Sequence, residues 1–193
     1  MIDILFKHIQ EKVSLTEKEK ELIQTFFIQK RLRKHQYLLQ EGDVCKYLAF
    51  VAKGLLRTYN IDEKGDAHMS VFGWEGWWLS DFNSFLSSEP AVFNIDAIEE
   101  SELLLISRLD YDAITVEVPI MDRYYRILYQ NSLVTKERRL MSSITHTAEE
   151  KYLQLLALDP KIVERIPQNL IASYLGIAPE TLSRIRKNLA FRK

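Results

Sequence analysis

One cysteine, Cys45, stands in the whole chain. It excludes a disulfide framework and a cysteine-ligated iron–sulfur cluster, and it fits a reducing compartment. Histidine is almost as scarce. Between Leu38 and Ile144 there is only His68, so the paired-histidine ligand set of a cupin-like metal enzyme has no source in the middle of the chain. No Ser-His-Asp arrangement, P-loop or GxGxxG is present. The longest run free of Asp, Glu, Lys and Arg is residues 166–179, too short for a bilayer and interrupted by two prolines and a glycine. The start, "MIDILFKHIQEK", has neither a basic flank nor an apolar core of the kind that marks a signal peptide. These absences point to a protein of the cytoplasm with no membrane partner.

A further absence is local. Residues 65–107 contain no Lys or Arg, against eight acids: Asp66, Glu75, Asp81, Glu89, Asp96, Glu99, Glu100 and Glu102. The C-terminal stretch 161–193 reverses this, with seven Lys/Arg against two Glu, so a net charge of −1 conceals an acidic middle and a basic end.

The chain also changes texture along its length. At Thr16 the run "TEKE" offers an N-cap with Glu19 three residues on, and a helix should follow through Leu22, Ile23, Phe26 and Phe27. From about Lys34 to Ser107, short apolar runs alternate with turn signals such as Lys53-Gly54 and Asp62-Glu63-Lys64-Gly65, which describes many short antiparallel strands. Beyond Ser107 the pattern is helical. Ile120, Ile127, Val134 and Met141 recur every seven residues, with Tyr124 and Asn131 between them. That is a coiled-coil-like seam for a homodimer, or alternatively a long helix packed on its own barrel. A further helix is expected near Thr147–Ala157.

The densest pattern is "IPQNLIASYLGIAPETLSRIRKNL". A helix-turn-helix needs a small residue where the helices touch, a glycine in the turn and apolar residues at the corner. Ala172, Gly176 and Leu182 fall at that spacing, with Ile171, Leu175, Ile177 and Ile185 as further buried positions. Pro179 suits the first turn of the second helix. Its solvent face then carries Glu180, Thr181, Ser183, Arg184 and Lys187. Arg184 has the fork to bond guanine O6 and N7, and Glu180, four residues earlier, accepts from cytosine N4. Gln168, Thr181, Ser183, Arg186 and Lys187 suit the phosphate backbone. The plain alternative is a helical hairpin whose Glu180 and Arg184 form a solvated ion pair.

A β-rich region, a long helix and a terminal helix-turn-helix, in that order, resemble the Crp/Fnr family of bacterial transcription regulators. "GIAPETLSRIRKNL" is the most specific part of the resemblance. It implies an α+β fold: an antiparallel β-roll (a double-stranded β-helix of the cyclic-nucleotide-binding type) over 1–117, a dimerisation helix over 118–145 and a DNA-binding domain over 146–193. It also implies a homodimer on pseudo-palindromic double-stranded DNA, with RNA polymerase as a protein partner and no catalytic activity.

The family's phosphate cassette has a Gly-Glu pair opening a short helix, followed by an Arg-Ser or Arg-Thr pair. Here Ser80-Asp81 stands for the first and Ala91-Val92 for the second. Asp81 keeps the chemistry to bind a ribose hydroxyl, but nothing local neutralises a phosphate, so cyclic AMP is not expected. Arg57, Arg123 or Arg126 would have to reach in from elsewhere. With Trp77, Trp78, Ser80, Asp81, Ala91, Val92 and Arg126 as its candidate lining, the pocket belongs to another effector or to none. Trp74, Trp77 and Trp78 are either core and sheet-edge packing or an aromatic wall for a planar ligand. No cofactor is expected; haem, for which His8, His35, His68 and His146 are formal axial candidates, has no further support. A ligand-sensing or protein-interaction module remains the main alternative, with a cupin-like enzyme behind it.

Overall fold

The computed structural model describes residues 1–191. These form two compact units, one of residues 1–60 and 70–130, the other of residues 61–69 and those from Asn131 onward. Among the described residues, no helix is long and apolar enough to cross a membrane.

The first unit opens with two helices, α1 (Ile2–Gln10) and α2 (Glu17–Thr25). Leu5 and Ile9, one turn apart on α1, are fully buried, and this helix was not anticipated. α2 begins as its sequence foretold: Thr16 Oγ1 accepts from Glu19 N, and the Glu19 carboxylate bonds back to Thr16 N at 2.8 Å. That reciprocal bond holds the Glu19 carboxyl below its usual range.

Eight strands follow in two antiparallel sheets. They are β1 (Ile28–Leu32), β2 (Tyr37–Leu39), β3 (Tyr47–Lys53), β4 (Leu56–Ile61), β5 (Ala67–Gly73), β6 (Trp78–Leu79), β7 (Asn94–Ala97) and β8 (Ser101–Ser107). The sheet orders are β1-β8-β3-β6 and β2-β7-β4-β5, which leaves β5 at an edge. β3 reads "YLAFVAK", and Leu48 to Ala52 are all buried, because one face meets the sheet-to-sheet core and the other is covered. Its partner β8 buries Leu103 to Ile106, pairing Leu48↔Ile106, Ala49↔Leu105 and Phe50↔Leu104. The expectation of an antiparallel β-roll is met.

Gly54 closes the β3–β4 turn at φ +105°, and a Cβ there would collide with Ser101 Oγ and come within 2.7 Å of Glu100 O. Left-handed backbone and backbone crowding act together, so Gly54→Ala should cost about 2–4 kcal/mol in urea unfolding.

Helices resume with α3 (Phe82–Ser87), set between β6 and β7, then α4 (Arg108–Glu117) and α5 (Ile120–Thr145). α5 starts one residue after Pro119, and its first turns carry Met121, Tyr124 and Tyr125, all buried. This corrects the seven-residue seam. Tyr124 lies in the core of its own unit, with Oη bonded by Trp78, and is not available to a second chain. The heptad spacing marks an apolar stripe without saying which partner covers it, and on the first turns of α5 that partner is the roll. From Asn131 on, the stripe is bare: Val134 and Met141 are 44% and 56% exposed, and Leu133, Leu140 and Ile144 on the same half of α5 are 60%, 62% and 71% exposed.

The second unit contains the hairpin tip 61–69, the end of α5, and four short helices: α6 (Ala148–Leu158), α7 (Pro160–Arg165), α8 (Gln168–Leu175) and α9 (Pro179–Phe191). α6 carries the expected start at Thr147, reinforced by a reciprocal bond with Glu150. Tyr152, Leu155, Ile162, Val163 and Ile166 are buried alongside Ile171, Ala172, Leu175, Leu182 and Ile185 of α8 and α9.

Candidate nucleic-acid interface

The corner between α8 and α9 is built as the spacing required. Gly176 takes φ +67° and ends α8, its N–H reaching Ala172 O and Ser173 O, while Ile177 N bonds Ala172 O at 3.0 Å. That is a Schellman closure, which a glycine permits at no steric cost. Ala172 and Leu182 are both 0% exposed: the small residue lets the helices approach, and the leucine fills the corner. Pro179 opens α9, and Thr181 N and Leu182 N both bond Ala178 O.

Burying Leu182 and Ile185 fixes which side of α9 faces outward. Glu180, Ser183, Arg184 and Lys187 are exposed, Thr181 and Arg186 are half-buried, and Gln168 is exposed at the start of α8. Glu180, Arg184 and Lys187 follow at i, i+4 and i+7, hence on one side of the helix, with Glu180 and Arg184 about 6 Å apart along its axis. No ion pair joins Glu180 to Arg184.

The cassette of the first unit has a different character. Asp81 is 3% exposed and both its carboxylate oxygens accept backbone amides, Oδ1 from Ser84 N at 3.1 Å and Oδ2 from Val92 N at 2.9 Å. Asp81, expected to suit a ribose hydroxyl, thus has each carboxylate oxygen bonded to an amide of its own loop. Ser84, missed in the sequence, knits the same segment by accepting from Cys45 N and donating to Glu89 O. Ala91 is buried, its N–H on Asp43 O and its carbonyl on Gly42 N, whereas Val92 projects its side chain outward at 56% exposure. Ser80 reaches Cys45 Sγ and Tyr47 O rather than an open cavity.

The candidate cations do not converge either. Arg57 forms a two-bonded pair with Asp96 at 2.7 and 2.8 Å and lies over the Tyr59 ring at 4.4 Å. Tyr59 adds its hydroxyl to Asp96, and this hydrogen-bonded carboxylate raises the Arg57 guanidinium above its ordinary range. Arg123 and Arg126 are exposed on α5. The candidate lining is therefore not assembled: Trp78, Ser80, Asp81 and Ala91 point into the unit, and Val92 and Arg126 point away from it.

Packing, of the two readings for the tryptophans, describes Trp78. Its ring stands 5.2 Å from Phe50 and 6.1 Å from Tyr125, and its Nε1 donates to Tyr124 Oη at 2.9 Å. Trp74 and Trp77 pair with each other at 4.4 Å, half-exposed on a turn. The space beside α5 is filled by Tyr111, Tyr124, Tyr125 and Tyr129, with Tyr125 fully buried. Adjacent tyrosines at 124 and 125, on a helix start expected to face a core, were the available signal.

His8 enters the same cluster. Its Nδ1 is 2.8 Å from Tyr124 Oη, and Lys12 Nζ is 3.2 Å from Nε2. An ammonium at Nε2 makes that nitrogen the acceptor, so Nδ1 carries the proton. Burial, aided by Lys12, lowers the imidazole from 6.5 to about 4. The unfolded chain takes a proton below pH 6.5 that the native state refuses, so stability is full above that pH and falls as pH drops toward 4. After allowance for solvent screening the loss is on the order of 1 kcal/mol, and His8→Gln should flatten it in pH-dependent urea midpoints. An axial role in haem binding would displace this hydrogen-bonded arrangement. Among the described residues, no three His, Cys, Asp or Glu side chains gather as a metal site.

Comparison with known proteins places these features. Residues 29–116 match the cyclic nucleotide-binding domain family. The fumarate and nitrate reduction regulatory protein of Vibrio cholerae is 24% identical over 167 residues, 81% of this chain and 66% of that protein. The transcriptional activator protein Anr of Pseudomonas aeruginosa is 22% identical over 165 residues, 80% of this chain and 67% of that one. The chain thus spans about two-thirds of the length of these relatives. Among solved structures, FixK2 of Bradyrhizobium japonicum has a TM-score of 0.70 at 19% identity, covering 86% of this chain and 85% of that one. The catabolite activator protein of Thermus thermophilus has a TM-score of 0.60 at 21% identity, covering 96% and 87%. With a stretch matched as a cyclic nucleotide-binding domain and transcription regulators aligned across four-fifths of its length, the chain is similar in sequence and fold to regulators of the kind the sequence resembles.

Proposed function

We propose that this protein is a transcription regulator that binds a pseudo-palindromic duplex as a homodimer, with α9 in the major groove, and without a cyclic nucleotide as effector. The observation that carries the first part is the outward Glu180–Arg184 pair, held by the buried Ala172–Leu182 corner and free of a mutual ion pair. Arg184 reads guanine and Glu180 cytosine, while Gln168, Thr181, Ser183, Arg186 and Lys187 engage phosphates. Homodimerisation is supported by the exposed Leu133, Val134, Leu140, Met141 and Ile144 on the second half of α5, an apolar stripe that water would otherwise face. The two copies of α9 would then enter successive grooves about 34 Å apart.

The second part rests on Asp81. A buried carboxylate that already takes the Ser84 and Val92 amides leaves a phosphate neither donors nor a cation. Contact with RNA polymerase is part of the same reading, as is action inside the cell, where the DNA is.

Binding to duplex DNA measured against salt tests this. A steep decline of log affinity with log salt is expected, because phosphate contacts release counterions. A flat profile, or no binding, would favour a ligand-sensing or protein-interaction module.

A further inference from the structure

The tip of the β4–β5 hairpin, Ile61–Met69, packs with the second unit rather than with the strands it continues. The bonds that tie it there are specific. Ser173 Oγ on α8 donates to Ala67 O at 2.9 Å and accepts from Met69 N at 3.2 Å. Ala67 and Met69 are two residues apart, so both groups lie on the same edge of β5, and β5 is an edge strand. One hydroxyl thus satisfies a donor and an acceptor that the open edge would otherwise leave to water.

The tip is itself stiffened. Asp62 accepts the amides of Lys64 and Asp66 at 2.9 Å each, and His68 Nε2 lies 2.8 Å from its second oxygen. Met69 is buried at 6% exposure beside the clasp. The next residue of α8, Tyr174, is covered by the Arg139 guanidinium at 4.0 Å from its ring centroid. Neighbouring side chains of one helix therefore grip two elements remote in sequence, the hairpin tip and α5.

We infer that residues 61–69 are a working part of the DNA-reading unit: the Ser173 hydroxyl clasps the edge of β5 to α8, and this holds the helix-turn-helix in place before DNA arrives. Ser173 is a positioning residue, since it acts through α8 and not on DNA. Joining α8 to the hairpin tip in advance removes an ordering cost that binding would otherwise carry. The inference rests on the reading of α9 as the DNA-contacting helix.

Ser173→Ala in the full chain tests it. Alanine has the higher helix propensity, so α8 is not weakened by the change itself. Losing two hydrogen bonds of ordinary strength should weaken operator binding about tenfold. Amide exchange at Met69 should accelerate at the same time, while the melting transition of the chain remains cooperative. Ser173→Thr keeps the hydroxyl and should restore both affinity and protection. Unchanged or tighter binding by Ser173→Ala overturns the inference, as does unchanged exchange at Met69. If the wild-type chain fails to bind duplex DNA, the reading of α9 falls separately, and exchange at Met69 in the two variants then decides whether the clasp exists.

Discussion

Replacing Leu140 and Ile144 together by aspartate is expected to leave each unit folded and yet to weaken binding to a two-half-site duplex by at least about a hundredfold. Both side chains stand in water in the single chain, 62% and 71% exposed, so nothing in the fold of one protomer is lost. In a dimer they would meet their own symmetry mates, because a two-fold interface presents the same patch twice. Four carboxylates confined to such an apolar seam would have to shed water without partners. The two DNA-binding units would then bind independently, losing the effective concentration that one gives the other. Sedimentation should show a monomer and anisotropy the weakened binding. A variant that remained dimeric would move the interface elsewhere.

Arg184→Ala carries the second large effect. It should cost about 1–3 kcal/mol on the preferred site and relax preference at one guanine. Arg184→Lys separates charge from geometry: it keeps the positive charge but not the two-pronged bond, and should recover affinity more than selectivity. Lys187→Ala should behave differently, weakening all sequences alike and lowering the salt slope by about one. Binding of a panel of single-base operator variants distinguishes the three. If Arg184→Ala weakened operator and random DNA equally, Arg184 would be a phosphate contact.

The C-terminal motif was legible because its constraints are local. Ala172, Gly176 and Leu182 sit within eleven consecutive residues, and a turn that needs positive φ and a corner that needs a small residue leave a mark in spacing. The capping pairs at Thr16–Glu19 and Thr147–Glu150 are legible for the same reason. The seam on α5 was half legible. Periodicity identifies an apolar stripe, yet Tyr124 is covered by the roll and Met141 is 56% exposed, and both fall in the same seven-residue pattern.

The cassette shows where the sequence is silent. Absent cations were visible, and from them came the expectation of a poor fit to a phosphate. That the Asp81 carboxylate would itself take the Ser84 and Val92 amides was not, because it depends on how the loop through Pro90 returns. The clasp at Ser173 lies further still from local inference. It joins residues more than a hundred positions apart, through a hydroxyl that in sequence resembles any helical serine.

Selection of bound duplexes from a random pool, with and without cyclic nucleotides, tests the central claim most directly. The account predicts enrichment of two inverted half-sites with centres about 10 base pairs apart, each holding the guanine read by Arg184, and the same sequences in both arms. No enrichment, or enrichment only when a cyclic nucleotide is present, would contradict it.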